Sequence, residues 1–229
     1  PGTGDAATAE RLCAIGTAAH LVRGEKLPMD AQENQLVWIT AGSAKLVAPR
    51  APHAPGCQIL AFHFAGDLVS VLRPGVRYAE GEYQLIALGD CDLVVCPADA
   101  FLGAGDGDAA VLRSVLTSAL QALHYSRTGM VQMGHKFASA RIADFLVSMA
   151  ERLADCSHGA CVLALPMSRR DIGDSLGLTI ETVSRQLTEL REAGLIKTEG
   201  RSKIWLNDVS SLARLAGRLD CQSQLTVSK

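Results

Sequence analysis

Short apolar runs, broken by glycine and proline, fill the first half of the chain. The clearest runs are LVWITAGSAKLVA, CQILAFHFAGDLVSVL and YQLIALGDCDLVVCP, all between residues 19 and 105. Runs of this length with repeated turn formers predict an antiparallel β-roll of the jelly-roll or barrel kind. The segment ITAGSAKLV predicts a hairpin that turns at Ala41-Gly42-Ser43, and the small, polar residues 1–18 predict a flexible tail.

A different pattern begins after the segment GAGDGD. Apolar or small side chains recur at intervals of four and three residues, at Leu112, Leu116, Ala119, Leu123, Ser126, Met130, Met133 and Phe137. This heptad pattern predicts one long helix, within residues 106–138, that pairs with a second helix. Pairing with another copy of the chain is favoured, because the stripe is longer than a small β-domain needs; a helix that covers its own β-domain is the alternative. The predicted dimer contacts are these residues without Ser126.

The remaining segment, 139–229, begins with a second amphipathic helix. Its apolar face carries Ile142, Phe145, Leu146, Met149 and Leu153. A loop and a short strand that ends at Pro166 follow. Together with the two patterns above, this predicts an α+β protein in which a β-roll precedes a helical C-terminal domain.

Two short helices separated by a glycine turn are predicted next. Ser168 and Asp171 form an S-x-x-D helix start, similar to a capping box. Gly177 supplies a left-handed turn, and Thr179 caps the second helix. In that helix Val183, Leu187 and Leu190 recur at intervals of four and three, which predicts the buried face. The opposite face then carries Glu181, Ser184, Arg185 and Thr188.

A predicted hairpin completes this region. The segment GLIKTEGRSKIWL places strands at residues 195–198 and 204–206, with Glu199-Gly200-Arg201 in the turn. Helix, glycine turn, helix and wing form the arrangement of winged helix-turn-helix DNA-binding domains. Arg201 and Lys203 of the wing are placed to contact phosphate.

The outer face of the second helix has the chemistry of a base-contacting surface. An arginine fork matches the O6 and N7 acceptors of guanine, and a carboxylate accepts from the N4 amine of cytosine. Glu181 and Arg185 lie one turn apart, so that they could contact neighbouring base pairs and steady each other, and Ser184 between them is short enough for close approach. The alternative is an ordinary exposed ion pair between residues four apart.

Composition restricts how such a surface could work. The 229 residues carry a formal net charge of −2 at pH 7, so no global basic field attracts a polyanion. Between residues 168 and 203 seven Lys and Arg stand against six Asp and Glu, a balance of +1. This weak local charge favours a dimer, in which two modest half-site contacts reinforce each other.

Neither a membrane span nor a secretory signal is expected. No run approaches 18 apolar residues, and the segment PGTGDAATAERL lacks a basic region followed by an apolar one. The seven cysteines are odd in number and scattered, as is typical of reduced thiols. We therefore expect a cytoplasmic protein.

Over roughly residues 19–217 these features resemble the CRP/FNR superfamily of bacterial transcription regulators. The segment LPMSRRDIGDSLGLTIETVSRQLTELREAGLI carries the resemblance most strongly, and its E-x-x-S-R pattern is similar to the FNR and FixK branch. The resemblance implies a homodimeric activator with a β-roll similar to a cyclic-nucleotide-binding domain, bound to a TTGA-N6-TCAA-like palindrome. Base contacts are then expected from Glu181, Ser184 and Arg185. Phosphate or positioning contacts are expected from Ser168, Arg169, Thr179, Thr182, Arg201 and Lys203.

The resemblance also implies RNA polymerase as a partner, with residues 62–72 similar to a surface that contacts it in FNR-type activators. Genes for low-oxygen respiration, nitrogen oxides or nitrogen fixation are the implied targets. Cyclic-nucleotide-binding relatives use a Gly-Glu and an Arg-Ser pair, whereas this chain has Gly66-Asp67 and no Arg-Ser pair downstream. An iron–sulfur cluster needs an N-terminal cysteine group, and only Cys13 is present there.

No cofactor is therefore expected, as in the FixK-like group. Control by a cyclic nucleotide or by haem remains an alternative. For haem, the chain has six histidines as candidate axial ligands: His20, His53, His63, His124, His135 and His158. An enzyme is not expected. The competing hypothesis, a cupin-like metalloenzyme that uses His53 and His63, leaves residues 168–206 unexplained.

Cysteine chemistry supplies one regulatory hypothesis. Cys156 or Cys161 could be oxidised and so weaken DNA binding, because the nearby basic segment SRR could lower the thiol pKa. The alternative is a pair of inert, buried thiols.

Overall fold

The computed structural model describes residues 6–28, 34–49, 57–71, 83–103, 109–135, 137–200 and 202–218. The chain divides between Gly129 and Met130 into two compact units, called here the N-terminal and the C-terminal unit. Among the described residues, no helix is both long and apolar enough to cross a membrane.

Two antiparallel sheets build the N-terminal unit. After helix α1 (Ala6–Ile15), the strands are β1 (Thr17–Leu21), β2 (Gln35–Ala41), β3 (Ser43–Pro49), β4 (Cys57–Phe64), β5 (Leu68–Val71), β6 (Gln84–Ala87) and β7 (Cys91–Pro97). One sheet has the order β1-β7-β2-β5 and the other the order β4-β3-β6. Alternate side chains of both sheets form a common buried cluster that includes Val37, Ile39, Ala44, Leu85 and Leu93. The predicted β-roll is confirmed.

The hairpin predicted at Ala41-Gly42-Ser43 is wrong in its pairing. The chain does turn there, but β2 pairs with β5 and β7, whereas β3 pairs with β4 and β6. The turn at Gly42 therefore connects a strand of one sheet to a strand of the other. Val37 and Ile39 of β2 and Ala44 of β3 enter the same buried cluster from opposite sheets, so the chain crosses the core at this turn and does not close a hairpin.

The expected flexible tail instead contains a helix. Leu12 of α1 is 1% exposed, in a cluster with Leu36, Cys96, Ala98 and Phe101. Its burial explains why this part of the segment 1–18 is ordered: one leucine and Ile15 beside it dock α1 against the β-roll.

A short helix, α2 (Ala98–Gly103), precedes the long helix α3 (Ala109–His135), which lies within the segment predicted as one helix. Val115 of α3 packs against the cluster around Phe101. The heptad positions do not: Leu116 is 60% exposed and Met130 is 67% exposed, and Leu123, Met133 and Phe137 are exposed as well. The side chain of Leu112 lies outside the described residues. Leu120, which the heptad pattern omits, is also exposed.

The C-terminal unit combines helices with a three-stranded sheet. Its elements are α4 (Ala138–Ala154), β8 (Cys161–Ala164), α5 (Arg169–Leu176), α6 (Ile180–Glu192), β9 (Ile196–Glu199), β10 (Lys203–Leu206) and α7 (Val209–Leu215). The strand order is β8-β10-β9, so the predicted wing hairpin gains β8 as a third strand. The buried side chains come from every layer and include Ile142, Leu146, Leu163, Val183, Leu206 and Leu212.

A charged cluster ties the end of this unit to α4. Arg218 Nε donates to Asp144 Oδ1 at 2.5 Å, and its Nη1 donates to both carboxylate oxygens of Glu151 at 2.8 and 2.9 Å. Its Nη2 donates to Ser148 Oγ at 2.6 Å. The Asp144 side chain is 1% exposed. A buried carboxylate of this kind is tolerated because a guanidinium neutralises it.

Candidate nucleic-acid interface

The first helix of the motif, α5, begins at a complete capping box. Ser168 Oγ accepts from the Asp171 backbone amide at 3.2 Å, and Asp171 Oδ2 accepts from the Ser168 amide at 2.9 Å. Ser168 Oγ also donates to the same carboxylate at 2.6 Å. The S-x-x-D prediction is confirmed, and the Ser168 hydroxyl is occupied by this cap.

Two glycines set the turn between α5 and α6. Gly177 has a φ of +65°, the left-handed conformation predicted for it. Gly173 was missed by the sequence analysis: a Cβ there would lie 2.6 Å from the carbonyl oxygen of Leu178. The Leu178 amide donates to the Gly173 carbonyl at 2.9 Å, so the turn folds closely over α5. A glycine in mid-helix, four residues before another, was the available signal.

Helix α6 has the two faces that the spacing predicts. Thr179 Oγ1 caps it by accepting from the Thr182 amide at 3.2 Å. Val183, Leu187 and Leu190 are buried, whereas Glu181 and Arg185 are exposed, and Ser184 and Thr188 are partly exposed. Because the apolar stripe docks α6 on its own unit, the polar face is held towards solvent.

The ion pairs on this face differ from the expected arrangement. Arg185 Nε lies 3.7 Å from Glu189 Oε1, one turn onward, so it does not pair with Glu181 as predicted. Gln186 Nε2 donates to Glu189 Oε2 at 2.7 Å and fixes that carboxylate. Glu181 stands in the first turn, where backbone amides are unpaired. The pKa of Glu181 is lowered, first by its own backbone amide, then by the Thr179 hydroxyl and by the charge of Arg170.

A contact between the two helices involves another predicted site residue. Arg169 Nη1 donates to Ser184 Oγ at 3.3 Å, which brings the first residue of α5 onto the exposed side of α6. Arg170, beside it, acts electrostatically on Glu181. The sequence analysis assigned no role to Arg170. Two arginines from α5 thus border the face formed by Glu181, Ser184 and Arg185.

The wing carries a cation held by an acid and an aromatic ring. Lys203 Nζ lies 3.0 Å from Glu199 Oε2 and 5.1 Å from the centre of the Trp205 ring. The Trp205 Nε1 group donates to Glu199 Oε2 at 3.4 Å. Hydrogen bonds from Lys203 and Trp205 lower the pKa of Glu199. Arg201, predicted to contact phosphate, lies outside the described residues.

One of the two thiols expected to be activated, Cys161, has the opposite property. Burial raises the pKa of Cys161 to about 11, helped by a hydrogen bond with Cys156. Cys156 Sγ also donates to the carbonyl of His158 at 3.2 Å. The predicted lowering of a thiol pKa by the SRR segment is therefore wrong for Cys161, because burial in the sheet outweighs any attraction from the arginines.

Two histidines of the N-terminal unit, His20 and His63, each lie beside one carboxylate. His20 Nδ1 lies 2.7 Å from Asp92 Oδ1, a hydrogen bond that raises the pKa of His20. His63 Nδ1 lies 3.6 Å from Asp67 Oδ2, and His53 lies outside the described residues. In the described part of the chain, no three His, Cys, Asp or Glu side chains are grouped so that they could hold a metal ion.

Comparison with known proteins agrees with this geometry. The Crp-like helix-turn-helix domain family matches residues 140–215. The nitrogen fixation regulation protein FixK of Azorhizobium caulinodans is 30% identical over 209 residues, covering 90% of this chain and 82% of that protein. FixK of Rhizobium meliloti is 46% identical over 84 residues, covering 37% of this chain and 38% of that protein.

Among solved structures, FixK2 from Bradyrhizobium japonicum superposes with a TM-score of 0.72 at 28% identity, covering 88% of this chain and 97% of that chain. Its likeness spans both units, so the β-roll and the helix-turn-helix of this chain occur together in a known regulator. The resemblance seen in the sequence is confirmed: the chain belongs to the CRP/FNR superfamily of DNA-binding transcription regulators, on its FixK-like branch.

Proposed function

We propose that this protein is a homodimeric transcription activator that binds a TTGA-N6-TCAA-like palindrome, with one α6 in the major groove of each half-site. The observation that carries the proposal is the exposed face of α6, where Glu181, Ser184 and Arg185 lie opposite the buried stripe. In helix-turn-helix proteins such a face contacts base edges.

Each of the three side chains has a defined task in this proposal. Arg185 donates two hydrogen bonds to a guanine, and the Glu181 carboxylate accepts from a cytosine amine. A glutamate is already ionised at neutral pH, and the surroundings of Glu181 lower its pKa further, so the side chain can only accept. Arg185 is 68% exposed and its pair with Glu189 is long, so turning towards a base costs only about 0.3–0.5 kcal/mol.

Phosphate contacts come from the edges of this face. Arg169 is exposed beside Ser184, and Lys203 extends from the wing. Thr179 and Thr182 lie at the N-terminus of α6, where helix amides and dipole favour an anion. Ser168 is a positioning residue in this proposal: its hydroxyl belongs to the capping box and fixes the start of α5, and it does not contact phosphate itself.

We base dimerisation on the seam of α3, defined by Leu116, Ala119, Leu123, Met130 and Met133. All five side chains are exposed in the single chain, although each is apolar. Val115, not the seam, covers the β-roll, which argues against the alternative of a helix lying on its own domain. A second copy of α3 is the occupant that buries such a heptad seam.

We further propose that the activator works without a cyclic nucleotide, haem or iron–sulfur group. The family resemblance implies a Gly-Glu pair for holding the ribose in cyclic-nucleotide-binding relatives, and the chain has Gly66-Asp67 instead. Asp67 is engaged within the β-roll. Its carboxylate already accepts from the Phe64 amide at 2.9 Å and lies 3.6 Å from His63. Genes of nitrogen fixation are the proposed targets, as the names of the FixK relatives suggest. RNA polymerase as the partner, and genes of low-oxygen respiration and nitrogen oxides as further targets, are proposed from the family resemblance alone.

DNA binding by the Arg185→Ala variant tests the proposed base contacts. The variant should lose about 1–3 kcal/mol of binding to the TTGA palindrome and discriminate less at the contacted guanine. Fluorescence anisotropy against the palindrome and its single-base variants measures both effects. Arg191→Ala, which removes an exposed arginine from the same helix, is the matched control and should retain discrimination. Unchanged palindrome binding by Arg185→Ala would refute the assignment.

Leu116→Lys tests the seam. The substituted side chain is exposed, so the fold should survive while self-association is lost. Sedimentation equilibrium would show a monomer, and anisotropy would show binding reduced to that of one half-site. Gln121→Lys, an exposed change on the same helix outside the seam, should leave the dimer intact. A Leu116→Lys protein that remains dimeric would contradict the proposal.

A further inference from the structure

Arg141, in the first turn of α4, joins the ends of two other helices. Its Nη2 donates to the carbonyl of Met133, in the last turn of α3, at 2.7 Å. Its Nη1 donates to the carbonyl of Leu176, the last residue of α5, at 3.1 Å. One side chain thus contacts both the end of the long helix and the start of the glycine turn that leads to α6.

The chemistry of both contacts favours a guanidinium. The last carbonyls of a helix have no partner within the helix and carry the negative end of its dipole. An arginine presents donors in a rigid plane and can bind two such acceptors in fixed directions, whereas a lysine offers a compact charge on a flexible stem. Gly177 lies against the same group: a Cβ there would be 3.9 Å from Nη1.

The contacts of Arg141 span a short connection. Only residues 136 and 137 separate α3 from α4, and Phe137 is 84% exposed, so its side chain does little to fix this joint. Ile142, Leu146 and Val183 are buried in the apolar core, whereas Arg141 is only partly buried. Within the C-terminal unit, the guanidinium therefore bears on how the last turn of α3 is held against the end of α5 more than on the packing of that core.

We propose that Arg141 is a positioning residue that sets the separation of the two recognition helices in the dimer, and hence the spacer length of the palindrome. This inference rests on the proposed function, in which α3 forms the dimer seam. The end of α3 that lies in the C-terminal unit carries the seam residues Met130 and Met133, so a fixed contact between this end and α5 would hold each α6 at a set distance from the dimer axis. Half-sites separated by one helical turn then match both copies at once.

Spacer selection by the full-length protein tests this role. Anisotropy would compare duplexes in which five, six or seven base pairs separate the TTGA and TCAA half-sites, and a duplex with one half-site. The parent protein should prefer six base pairs by about tenfold or more, because a changed spacer prevents both subunits from binding together. Arg141→Gln should reduce the preference to about threefold or less, with single-half-site affinity and dimer mass unchanged. Arg141→Lys should recover it only in part.

Arg152→Gln removes an arginine from the last turn of the same helix and should keep the parent's spacer preference. An Arg141→Gln protein with the parent's preference would overturn the inference. So would one whose half-site affinity and thermal stability fall together, since that is the behaviour of a structural residue. A parent protein without any spacer preference would overturn the dimeric palindrome itself, and the inference with it.

Discussion

Replacing Arg218 by methionine should destabilise the C-terminal unit by about 3–4 kcal/mol. The guanidinium neutralises Asp144, whose side chain is 1% exposed, and removal of one partner from a buried pair costs about 3–5 kcal/mol. Glu151 is 44% exposed and adds at most about 1 kcal/mol.

Tryptophan fluorescence can measure this change in one unit alone. The chain has two tryptophans, Trp38 in β2 and Trp205 in β10, so a Trp38→Phe background leaves a reporter only in the C-terminal unit. Urea unfolding of Arg218→Met in that background gives the free energy of unfolding. Arg214→Met is the matched control: Arg214 is 64% exposed, and its loss should cost less than about 0.5 kcal/mol.

The cause of the loss is tested separately. If an uncompensated buried charge is responsible, adding Asp144→Asn to Arg218→Met should restore part of the stability. Equal stabilities for Arg218→Met and Arg214→Met, or an Arg218→Met/Asp144→Asn protein no more stable than Arg218→Met, would refute the reasoning.

Three further changes follow from the described geometry. Gly173→Ala puts a Cβ 2.6 Å from a backbone carbonyl oxygen and should lower the free energy of unfolding by about 1–3 kcal/mol, whereas Gly89→Ala meets nothing within 4 Å and should be nearly neutral in the same urea titration. Alkylation of Cys161 should be slow at neutral pH and rise about tenfold per pH unit up to about pH 11, after exposed Cys57 has reacted; mass spectrometry that found Cys161 labelled as fast as Cys57 at pH 7 would disprove its raised pKa. Asp208→Ala should cost about 1 kcal/mol through loss of the α7 cap. Hydrogen bonds lower the pKa of Asp208, so the part of this stabilisation that depends on the Asp208 charge should be fully present at neutral pH and be lost as the pH falls below 4. Parallel acid titrations of the parent protein and of Asp208→Ala would show this loss.

The helix-turn-helix could be predicted because its determinants are local. A cap residue, a glycine and an apolar stripe at intervals of three and four residues fix both helices and the direction of each face. Pairing partners could not be predicted in the same way. Arg185 has an acid one turn before it and one turn after it, and sequence spacing does not distinguish Glu181 from Glu189. The bond from Gln186 to Glu189 and the first-turn amide at Glu181 decide the outcome.

Long-range burial explains the other differences. A turn at Gly42 looks the same in sequence whether the flanking strands pair with each other or enter different sheets. Leu12 is buried because the fold brings Phe101 and Leu36 against it, and the local sequence around Leu12 does not indicate that contact. The raised pKa of Cys161 likewise depends on its burial in the folded unit, not on the charges that adjoin it in sequence.

If α3 pairs as proposed, its exposed seam makes the amount of protein a control variable. While most subunits are single, the concentration of pairs would rise with the square of the total, so a tenfold increase in synthesis would give about a hundredfold increase in the proposed DNA-binding dimer. A cell could then switch the regulated genes steeply by adjusting how much of the chain it makes, with no small molecule involved.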